Sequence, residues 1–253
     1  MPLKLLHGSK KLLPKMKALW RDTFGDSDEF IDLFFSKFYK PRKAFLRFDG
    51  DELVSMLFYM DVKVKFDGRR FKTAYLYGVA TKRSERRQGH FTALHTALLE
   101  ELTAKKYDLI ITIPQGDSLF SFYKDIGYTL PLRRCEYELE TVDLEAVEDL
   151  SRVWAKKKEL HKGSRQSMSI LETEEQFIES RREHRFFSYN GGYLGFYPNN
   201  GSFKLYDIIS DDPLHAPAKL EHYERSALIM DLTKRLDPER IEKEKPVLSF
   251  LLN

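Results

Sequence analysis

The stretch from Tyr77 to Phe91 reads YGVATKRSERRQGHF, and its pattern changes twice along its length. Residues Tyr77–Thr81 are aromatic, small or β-branched, which is typical of the end of a strand. A loop rich in arginine and lysine follows, and Gly89 then precedes a segment with helical spacing of apolar residues. Because free N–H groups at a helix start carry the positive end of the helix dipole, this order predicts an anion site there.

The composition of this loop favours a phosphate-bearing ligand. Gly89 has no Cβ, so a pyrophosphate could approach the backbone closely at that residue. The basic side chains around it in the sequence are Lys82, Arg83, Arg86 and Arg87. A solvated loop is the simpler explanation of the Arg86–Arg87 pair, and we expect only one of the two to contact the ligand. Many nucleotide sites use such a turn, so the loop alone does not select the ligand.

A second informative block, SLFSFYKDIGY, lies at Ser118–Tyr128. It predicts a short helix over Ser118–Ile126 that ends at Gly127, as helices often end at glycine. Between the two blocks, the spacing of leucines predicts a helix from Gly89 to about Lys105. The nearly continuous apolar run Tyr107–Ile113 then predicts a strand buried on both faces.

Together the two blocks resemble the GNAT superfamily of acyl-CoA-dependent N-acyltransferases. The spacing Arg86-x-x-Gly89 after a Val-Ala-Thr strand is similar to the coenzyme A loop of that family. The ending of the second block is similar to the aromatic-x-x-x-Gly-aromatic end of the family's final helix. Over roughly residues 5–140 the resemblance lies in the order of helices and strands. It extends to specific sequence motifs only within residues 75–128.

The resemblance implies acetyl-CoA as co-substrate, with no metal. The backbone of Val79–Thr81 would bind the pantetheine arm, Arg86–Phe91 would supply N–H groups to the pyrophosphate, and the strand that carries Val79 would polarise the carbonyl. The residues implied in binding are Val79, Ala80, Thr81, Arg86, Arg87, Gln88, Gly89, His90, Phe91 and Ser118. One departure is the bulky Phe91, where the family commonly has a small residue; it leaves open a narrowed or re-angled pyrophosphate pocket.

Tyr123 is the implied catalytic residue. It matches the tyrosine that protonates the departing thiolate in many family members, and a phenol beside the sulfur can act as a general acid. Packing on an amphipathic helix is the simpler alternative for Tyr123. No residue stands out as the general base, which we leave unassigned, with a water relay as an equal possibility. The candidates considered are Glu136, Glu138, His90, His95 and the carboxyl end at Asn253, and for both histidines we favour a structural or exposed position.

The fold class that follows is α/β (α+β), a GNAT-like, mixed and mostly antiparallel central sheet flanked by helices, over residues 1–140. Helical spacing predicts two helices within 14–40, the second opened by Asp26 and Glu29 as a capping box. Strands are predicted at Ala44–Phe48 and Leu53–Met60, joined at an Asp-Gly turn. A further strand is expected over residues 71–80, and another over 132–140.

Residues 141–253 predict a second, smaller αβ unit. Helices in 141–183 are followed by strands at 186–196 and 202–209, a turn at Pro198–Gly201 between them, a helix at 220–236 and a closing strand at 247–252. This order suggests the hypothesis of a degenerate half of the same fold that helps to form the amine pocket. It has no second Arg-x-x-Gly loop, so we expect a single coenzyme site.

Composition excludes several classes of function. The 253 residues carry a formal net charge of +3, too small for a dedicated nucleic-acid binder, and the single Cys135 excludes internal disulfides and thiolate metal sites. We expect Cys135 to be a small core residue. The charged run Arg181–Arg185 is more simply a solvated helix end than a nucleic-acid site. No apolar run is long enough to span a membrane, so we expect a cytoplasmic protein with neither membrane nor nucleic acid as partner.

The leading prediction is an N-acetyltransferase that moves an acetyl group from acetyl-CoA to a primary amine by direct attack. A non-catalytic CoA-binding sensor or scaffold is the alternative, motivated by Phe91 and the unassigned base. An unrelated nucleotide-binding domain is a third possibility, and the absence of a Gly-x-x-x-x-Gly-Lys pattern counts against it. The acceptor, a small-molecule or peptide amine, stays open, as do acyl-chain length and oligomeric state. The acidic residues Asp207, Asp211 and Asp212 would favour a cationic amine, but a polar loop is the preferred interpretation.

Overall fold

The described residues, taken from a computed structural model, form two compact units. The structure describes residues 3–139, 144–163, 169–171, 173–181, 183–189, 192–199, 202–210 and 218–244. The first unit is drawn from residues 1–61, 72–113 and 230–233, and the second from 62–71, 114–229 and 234–253. The boundary near residue 140 that the sequence suggests stays a prediction.

The first unit is a sheet flanked by helices. Its elements are β1 (Leu3–His7), α1 (Leu13–Phe24), α2 (Asp28–Lys37), β2 (Ala44–Asp49), the larger parts of β3 (Glu52–Phe66) and β4 (Arg69–Thr81), α3 (His90–Ala104) and β5 (Leu109–Thr112). The strands lie in the order β1-β2-β3-β4-β5. The β1–β2 and β2–β3 pairs are antiparallel, whereas β4 and β5 are parallel. This mixed, mostly antiparallel sheet confirms the predicted fold class.

Helices α1 and α2 meet at a sharp corner. Gly25 ends α1 in a left-handed conformation (φ +72°), as the sequence predicts. The cap of α2 is Ser27, whose Oγ accepts a hydrogen bond from the Phe30 N–H at 3.2 Å. The predicted cap, Asp26, is therefore wrong by one residue. The Asp26 carboxylate instead accepts a hydrogen bond from the Trp20 indole N–H at 2.7 Å, and Ser27 caps the helix.

The main core of the first unit lies between α1, α2 and one face of the sheet. Trp20 is at its centre, only 1% exposed. Its ring centroid lies 4.5 Å from that of Phe34, 5.9 Å from Phe58 and 5.7 Å from Tyr77. Tilted aromatic pairs of this kind each add about 0.5–1.5 kcal/mol beyond the area that they bury. The buried aromatic side chains of α2, Phe34 and Phe35, are therefore part of the core.

Trp20 and Phe58 press directly on the backbone of β4 at Gly78. Gly78 has φ +56°, and a Cβ added there would lie 2.7 Å from a Trp20 ring carbon and 2.8 Å from a Phe58 ring carbon. Such contacts are shorter than packed carbon atoms tolerate. Only glycine satisfies both the positive φ and the close approach, so this residue joins the helical core to the strand.

Helix α3 and strand β5 also follow the prediction. Leu94, Leu98 and Leu102 of α3 have no exposed surface. All four residues of β5 are buried, as expected of a strand covered on both faces. The N–H of Leu232 donates to the Asp108 carbonyl at 2.9 Å, so the segment 230–233 joins the first unit just before β5 begins.

The second unit contains a smaller sheet with its own core. Its remaining elements are α4 (Asp117–Asp125), β6 (Leu130–Leu139), β7 (Glu145–Val147), α5 (Leu150–Gly163), β8 (Ser169–Leu171), α6 (Glu174–Ser180), β9 (Arg185–Tyr189), β10 (Gly192–Asn199), β11 (Ser202–Ser210), most of β12 (Ala218–Asp231) and α7 (Pro238–Glu244). The smaller sheet has the order β11-β10-β9-β7. Its core residues are Val153, Trp154, Phe177, Phe186 and Ile209.

The helix predicted over residues 220–236 is wrong. Strand β12 occupies most of this segment and pairs antiparallel with β6. Its register shifts between Leu220 and His222 and again between Arg225 and Ala227, which breaks the alternation expected of a strand. The consecutive residues 227–229 have no exposed surface, so both faces are covered there. Two irregularities and a doubly buried end thus gave the apolar residues a spacing that resembles a helix.

The strand predicted over residues 186–196 is two strands, β9 and β10, in a hairpin. Tyr189 is opposite Gly192, and the Asn-Gly pair between them is a favoured hairpin-turn sequence. Pro198, predicted in a turn, instead lies in β10 opposite Phe203. The pairing with β9 has ended by that point, so a residue without an N–H is tolerated. The predicted strand at 247–252 and the side chain of Cys135 lie outside the described residues.

We predict that Gly78→Ala destabilises the protein by about 2–5 kcal/mol, the sum of left-handed strain and overpacking. Urea unfolding measures the change. Gly25→Ala is the matched control, because Gly25 also has positive φ but has no atom within 4 Å of an added Cβ. It should cost about 1–2 kcal/mol. Equal losses in the two variants would show that Trp20 and Phe58 do not constrain β4.

Candidate active site

The end of β4 extends past its partner β5. The two strands are in register only from Thr73 opposite Leu109 to Leu76 opposite Thr112. Strand β4 continues to Thr81, so its last five residues, 77–81, have no β5 residue beside them in that register. These residues include Val79, Ala80 and Thr81, which the sequence assigns to the coenzyme. The structure therefore places all three on a stretch of β4 beyond its register with β5, where Ala80 is buried and Val79 and Thr81 are half-buried.

Strand β3 holds the opposite edge of this segment. The Ser55 hydroxyl, fully buried, donates to the Ala80 carbonyl at 3.0 Å and lies 2.8 Å from the Thr81 hydroxyl. The Lys82 N–H donates to the Val54 carbonyl at 2.9 Å. Because successive residues of a strand direct their backbone groups to alternate sides, Val79 and Thr81 then direct theirs away from β3.

The loop after β4 is short and internally bonded. It begins with a 3-10 turn at Arg83–Glu85, after which the Arg86 Nε donates to the Thr81 carbonyl at 3.3 Å. The Gln88 side chain donates to the Ser84 carbonyl at 3.3 Å. Arg87 has a left-handed backbone (φ +66°), which is uncommon for a residue with a side chain. These contacts fix the backbone between the strand and the helix, while residues 86–89 stay exposed.

Lys82 differs from the other basic residues of the loop. Its ammonium group pairs with the Glu52 carboxylate on β3. The hydrogen bond to Glu52 raises the pKa of Lys82. Its charge is therefore already balanced in part, and the arginines carry more of the positive potential of the loop.

Gly89 leaves the start of α3 open. It is the N-cap residue, with φ +75°, and no side chain caps the helix. No atom lies within 4 Å of the position that a Cβ would take. The predicted start of a helix at this glycine is confirmed. An anion could approach the first N–H groups of α3 without a side chain in its path.

Three side chains in the first turns of α3 are buried or half-buried. His90 is buried, and its Nδ1 accepts a hydrogen bond from the Arg47 Nε at 3.1 Å. The half-buried Phe91 ring stacks on His95, with 5.2 Å between the centroids. Residues four apart share a helix face, so this ring lies along α3. His90 and His95 are both buried, in agreement with the structural position favoured above.

The side chain of His95 has an altered basicity. Burial lowers its pKa from 6.5 to about 4. The ring is therefore neutral at physiological pH, and protonation would place a charge inside the first unit.

Ser118 and Tyr123 lie in the second unit, on α4. Ser118 is exposed near the start of the helix, whereas Tyr123 is only 5% exposed. The Tyr123 ring makes an edge contact with Tyr128 at 5.2 Å, and the Tyr128 N–H donates to the Tyr123 carbonyl at 3.0 Å. Burial raises the pKa of the Tyr128 phenol well above its usual value. Gly127, with φ +103°, ends the helix as predicted.

The structure thus brings together nine of the predicted coenzyme residues in the first unit, at Val79–Thr81 and Arg86–Phe91. Three residues that fix them were not foreseen, namely Arg47, Val54 and Ser55. They lie far from the loop in sequence, on the β2–β3 hairpin. No local pattern marks them, and only the order of the strands in the sheet brings them to the loop.

Comparison with known proteins agrees with this geometry. Residues 7–130 match the family model described as an acetyltransferase (GNAT) domain. Residues 7–130 of the chain belong to the GNAT acetyltransferase family. The matched segment of this GNAT protein includes the whole loop and both blocks that resemble the family. The match to this family model supports the general assignment of the protein as an acyltransferase.

Solved structures share the fold over most of the GNAT chain. A probable N-acyltransferase from Enterococcus faecalis V583 has a TM-score of 0.69 at 14% identity, covering 92% of this chain and 73% of its own. A GCN5-related N-acetyltransferase from Kribbella flavida has 0.68 at 15%, covering 90% and 71%. A putative acetyltransferase from Pyrococcus horikoshii has 0.56 at 17%, covering 98% and 94%. No curated protein sequence matches the chain.

Among the described residues, no helix has both the length and the apolarity needed to cross a membrane.

We predict that His95 makes the stability of the protein depend on pH. The folded pKa lies below the unfolded one, so this contribution is complete above pH 6.5 and is lost as the pH falls towards 4. Its full size is about 3 kcal/mol. Urea unfolding of wild type and of His95→Phe across this range measures it. The variant should lose less stability on acidification, and parallel pH profiles would contradict the assignment.

Proposed function

We propose that this GNAT protein transfers an acetyl group from acetyl-CoA to a primary amine by direct attack. The observation that carries the proposal is the open, uncapped start of α3 at Gly89, directly after an arginine-containing loop and a strand end that runs past its register with β5. A phosphate site and a strand edge in this order suit a ligand that has a pyrophosphate at one end and an amide-containing arm at the other.

The residues present fit the pyrophosphate. The first N–H groups of α3 carry a partial positive charge of about half an elementary charge, and phosphate groups bind well at such ends. The left-handed residues Arg87 and Gly89 are typical of turns whose N–H groups form an anion-binding concavity. Arg86 is held to the Thr81 carbonyl, so its guanidinium stays beside the loop. The stacking of the Phe91 ring on His95, along α3, supports a pyrophosphate site that this bulky side chain does not fill.

The strand edge fits the pantetheine arm. Val79 and Thr81 direct backbone groups away from β3, on the side where the register with β5 has ended. An extended amide chain can pair with such an edge in the way that a strand does. In that position the arm would lead from the helix start towards Gly78, and a backbone N–H of β4 could polarise the thioester carbonyl.

The chemistry of the transfer requires two proton movements. The amine nitrogen forms a bond to the acetyl carbon as the carbon–sulfur bond breaks. Tyr123 is proposed to donate its phenolic proton to the departing sulfur, since a phenol beside the sulfur can act as a general acid. The excess proton of the amine passes to a base or water that stays unassigned. The acceptor is proposed as a small-molecule or peptide amine.

We predict that the wild type binds one acetyl-CoA per chain, and that Arg86→Ala with Gly89→Val loses this binding. The valine would place a side chain in the open space before α3 and strain the left-handed backbone. Isothermal calorimetry measures the affinity, with ATP and NAD as competing ligands. Gly25→Ala, another left-handed glycine, should retain full affinity. Wild type that binds neither acetyl-CoA nor CoA would remove the proposal.

We predict that Tyr123→Phe lowers turnover about 100-fold, within the range of general acid catalysis, and leaves acetyl-CoA affinity nearly unchanged. Release of free thiol from acetyl-CoA, in the presence of a panel of amines, measures turnover. Tyr128→Phe is the control, because it removes a neighbouring buried hydroxyl. Full activity of Tyr123→Phe would assign Tyr123 to packing. Binding without transfer to any amine would favour a CoA-binding sensor or scaffold.

A further inference from the structure

The two ends of the coenzyme loop, residues 82–89, are attached to neighbouring positions of one hairpin. Arg47 of β2 and Ser55 of β3 are directly opposite each other in the antiparallel register. Ser55 bonds Ala80 and Thr81 just before the loop. Arg47 bonds the His90 side chain just after it. A single pair of facing residues therefore holds both the entry and the exit of the loop.

The two ring nitrogens of His90 have different neighbours. Its Nδ1 accepts a hydrogen bond from the Arg47 Nε–H, which leaves Nε2 as the N–H donor of the ring. That Nε2 lies 3.5 Å from Glu85 Oε2, and the His90 side chain is only 3% exposed. Nε2 is buried and makes no hydrogen bond of normal length. The nearby acceptor is thus a carboxylate inside the loop itself, at the end of its 3-10 turn.

Burial prevents the His90 side chain from touching a phosphate. The ring lies behind the loop and contacts β2 on one side and the 3-10 turn on the other. Its Nδ1 accepts a hydrogen bond from the cationic Arg47 outside the loop, and its Nε2 lies 3.5 Å from the Glu85 carboxylate inside the loop. A side chain in this position can act on a bound ligand only through the backbone that it fixes.

We propose that Glu85, His90 and Arg47 form a positioning relay that holds the coenzyme loop in its anion-binding conformation. The inference rests on the proposed function for the role of the loop, and it adds residues to the site. Arg47 fixes the imidazole, the imidazole fixes the start of α3, and its Nε2 lies 3.5 Å from the Glu85 carboxylate at the end of the 3-10 turn. The relay determines where the N–H groups of residues 86–90 point, and it makes no contact with the coenzyme.

His95 provides the matched control. It is a second buried histidine on α3, 6% exposed against 4% for His90, and its ring stacks on Phe91. Replacement of either histidine by phenylalanine keeps a ring of similar size in the same helix. Only His90→Phe removes the nitrogen atoms that connect Arg47 with Glu85.

Hydrogen exchange tests the relay without any ligand. His90→Phe should accelerate amide exchange across residues 82–89, whereas His95→Phe should leave it as in wild type. Glu85→Ala, at a partly exposed residue that tolerates truncation, should act in the same direction. Exchange in residues 82–89 that is unchanged in both His90→Phe and Glu85→Ala would overturn the relay.

Coenzyme affinity tests its consequence. His90→Phe should weaken acetyl-CoA binding about tenfold or more, as the loss of a hydrogen bond to a charged group predicts. Turnover with S-acetylpantetheine, which lacks the pyrophosphate, should fall much less than turnover with acetyl-CoA. The double variant Glu85→Ala/His90→Phe should lose no more affinity than His90→Phe alone, because both changes break one unit. Additive losses of acetyl-CoA affinity in the double variant would assign His90 to general packing. Equal losses of turnover with acetyl-CoA and with S-acetylpantetheine would do the same.

The same data separate the two proposals. If wild type binds no acetyl-CoA, the proposed function fails, and the exchange experiment still decides whether the relay holds the loop. If wild type binds acetyl-CoA and His90→Phe binds it equally well, the function stands and the relay is overturned.

Discussion

The approach of Trp20 to the backbone of Gly78 is the contact on which the rest of the first unit depends. Helices α1 and α2 carry an aromatic core, and that core meets the sheet where β4 takes a left-handed residue. Strand β4 then continues for three residues, 79–81, into the proposed site. The position of the strand edge is therefore set by core packing, which is close to incompressible.

The loop adds a second level of constraint to the first. Its entry is bonded to β3, its exit to β2, and its interior to its own carbonyl groups. Exposed loops of this length usually retain considerable freedom. Here the backbone is fixed before any ligand arrives, so binding would require little further ordering. Preorganisation of this kind favours affinity because less entropy is lost on association.

Much of the first unit could be predicted from local patterns, because its signals are short in range. Helical spacing, the Asp-Gly turn and Gly89 each involve residues close in sequence, and all are confirmed. Arg47 and Ser55 were not predicted, because their role depends on strand pairing, which no nearby residue encodes. Strand β12 was mistaken for a helix because two irregularities altered its period. The cap at Ser27 was displaced by an indole bond to Asp26 that sequence spacing does not show.

The division of the chain between the two units also affects its synthesis. Residues 230–233 belong to the first unit, although the other residues of that unit precede residue 114. A ribosome must therefore add more than a hundred further residues before the last segment of that unit exists. The pairs β1–β2, β2–β3 and β4–β5 lie within residues 3–112 and can form early, whereas the hydrogen bond from Leu232 to Asp108 must wait for the late segment. Contacts of such long sequence separation form slowly, so the first unit lacks its last segment for much of the translation of the chain.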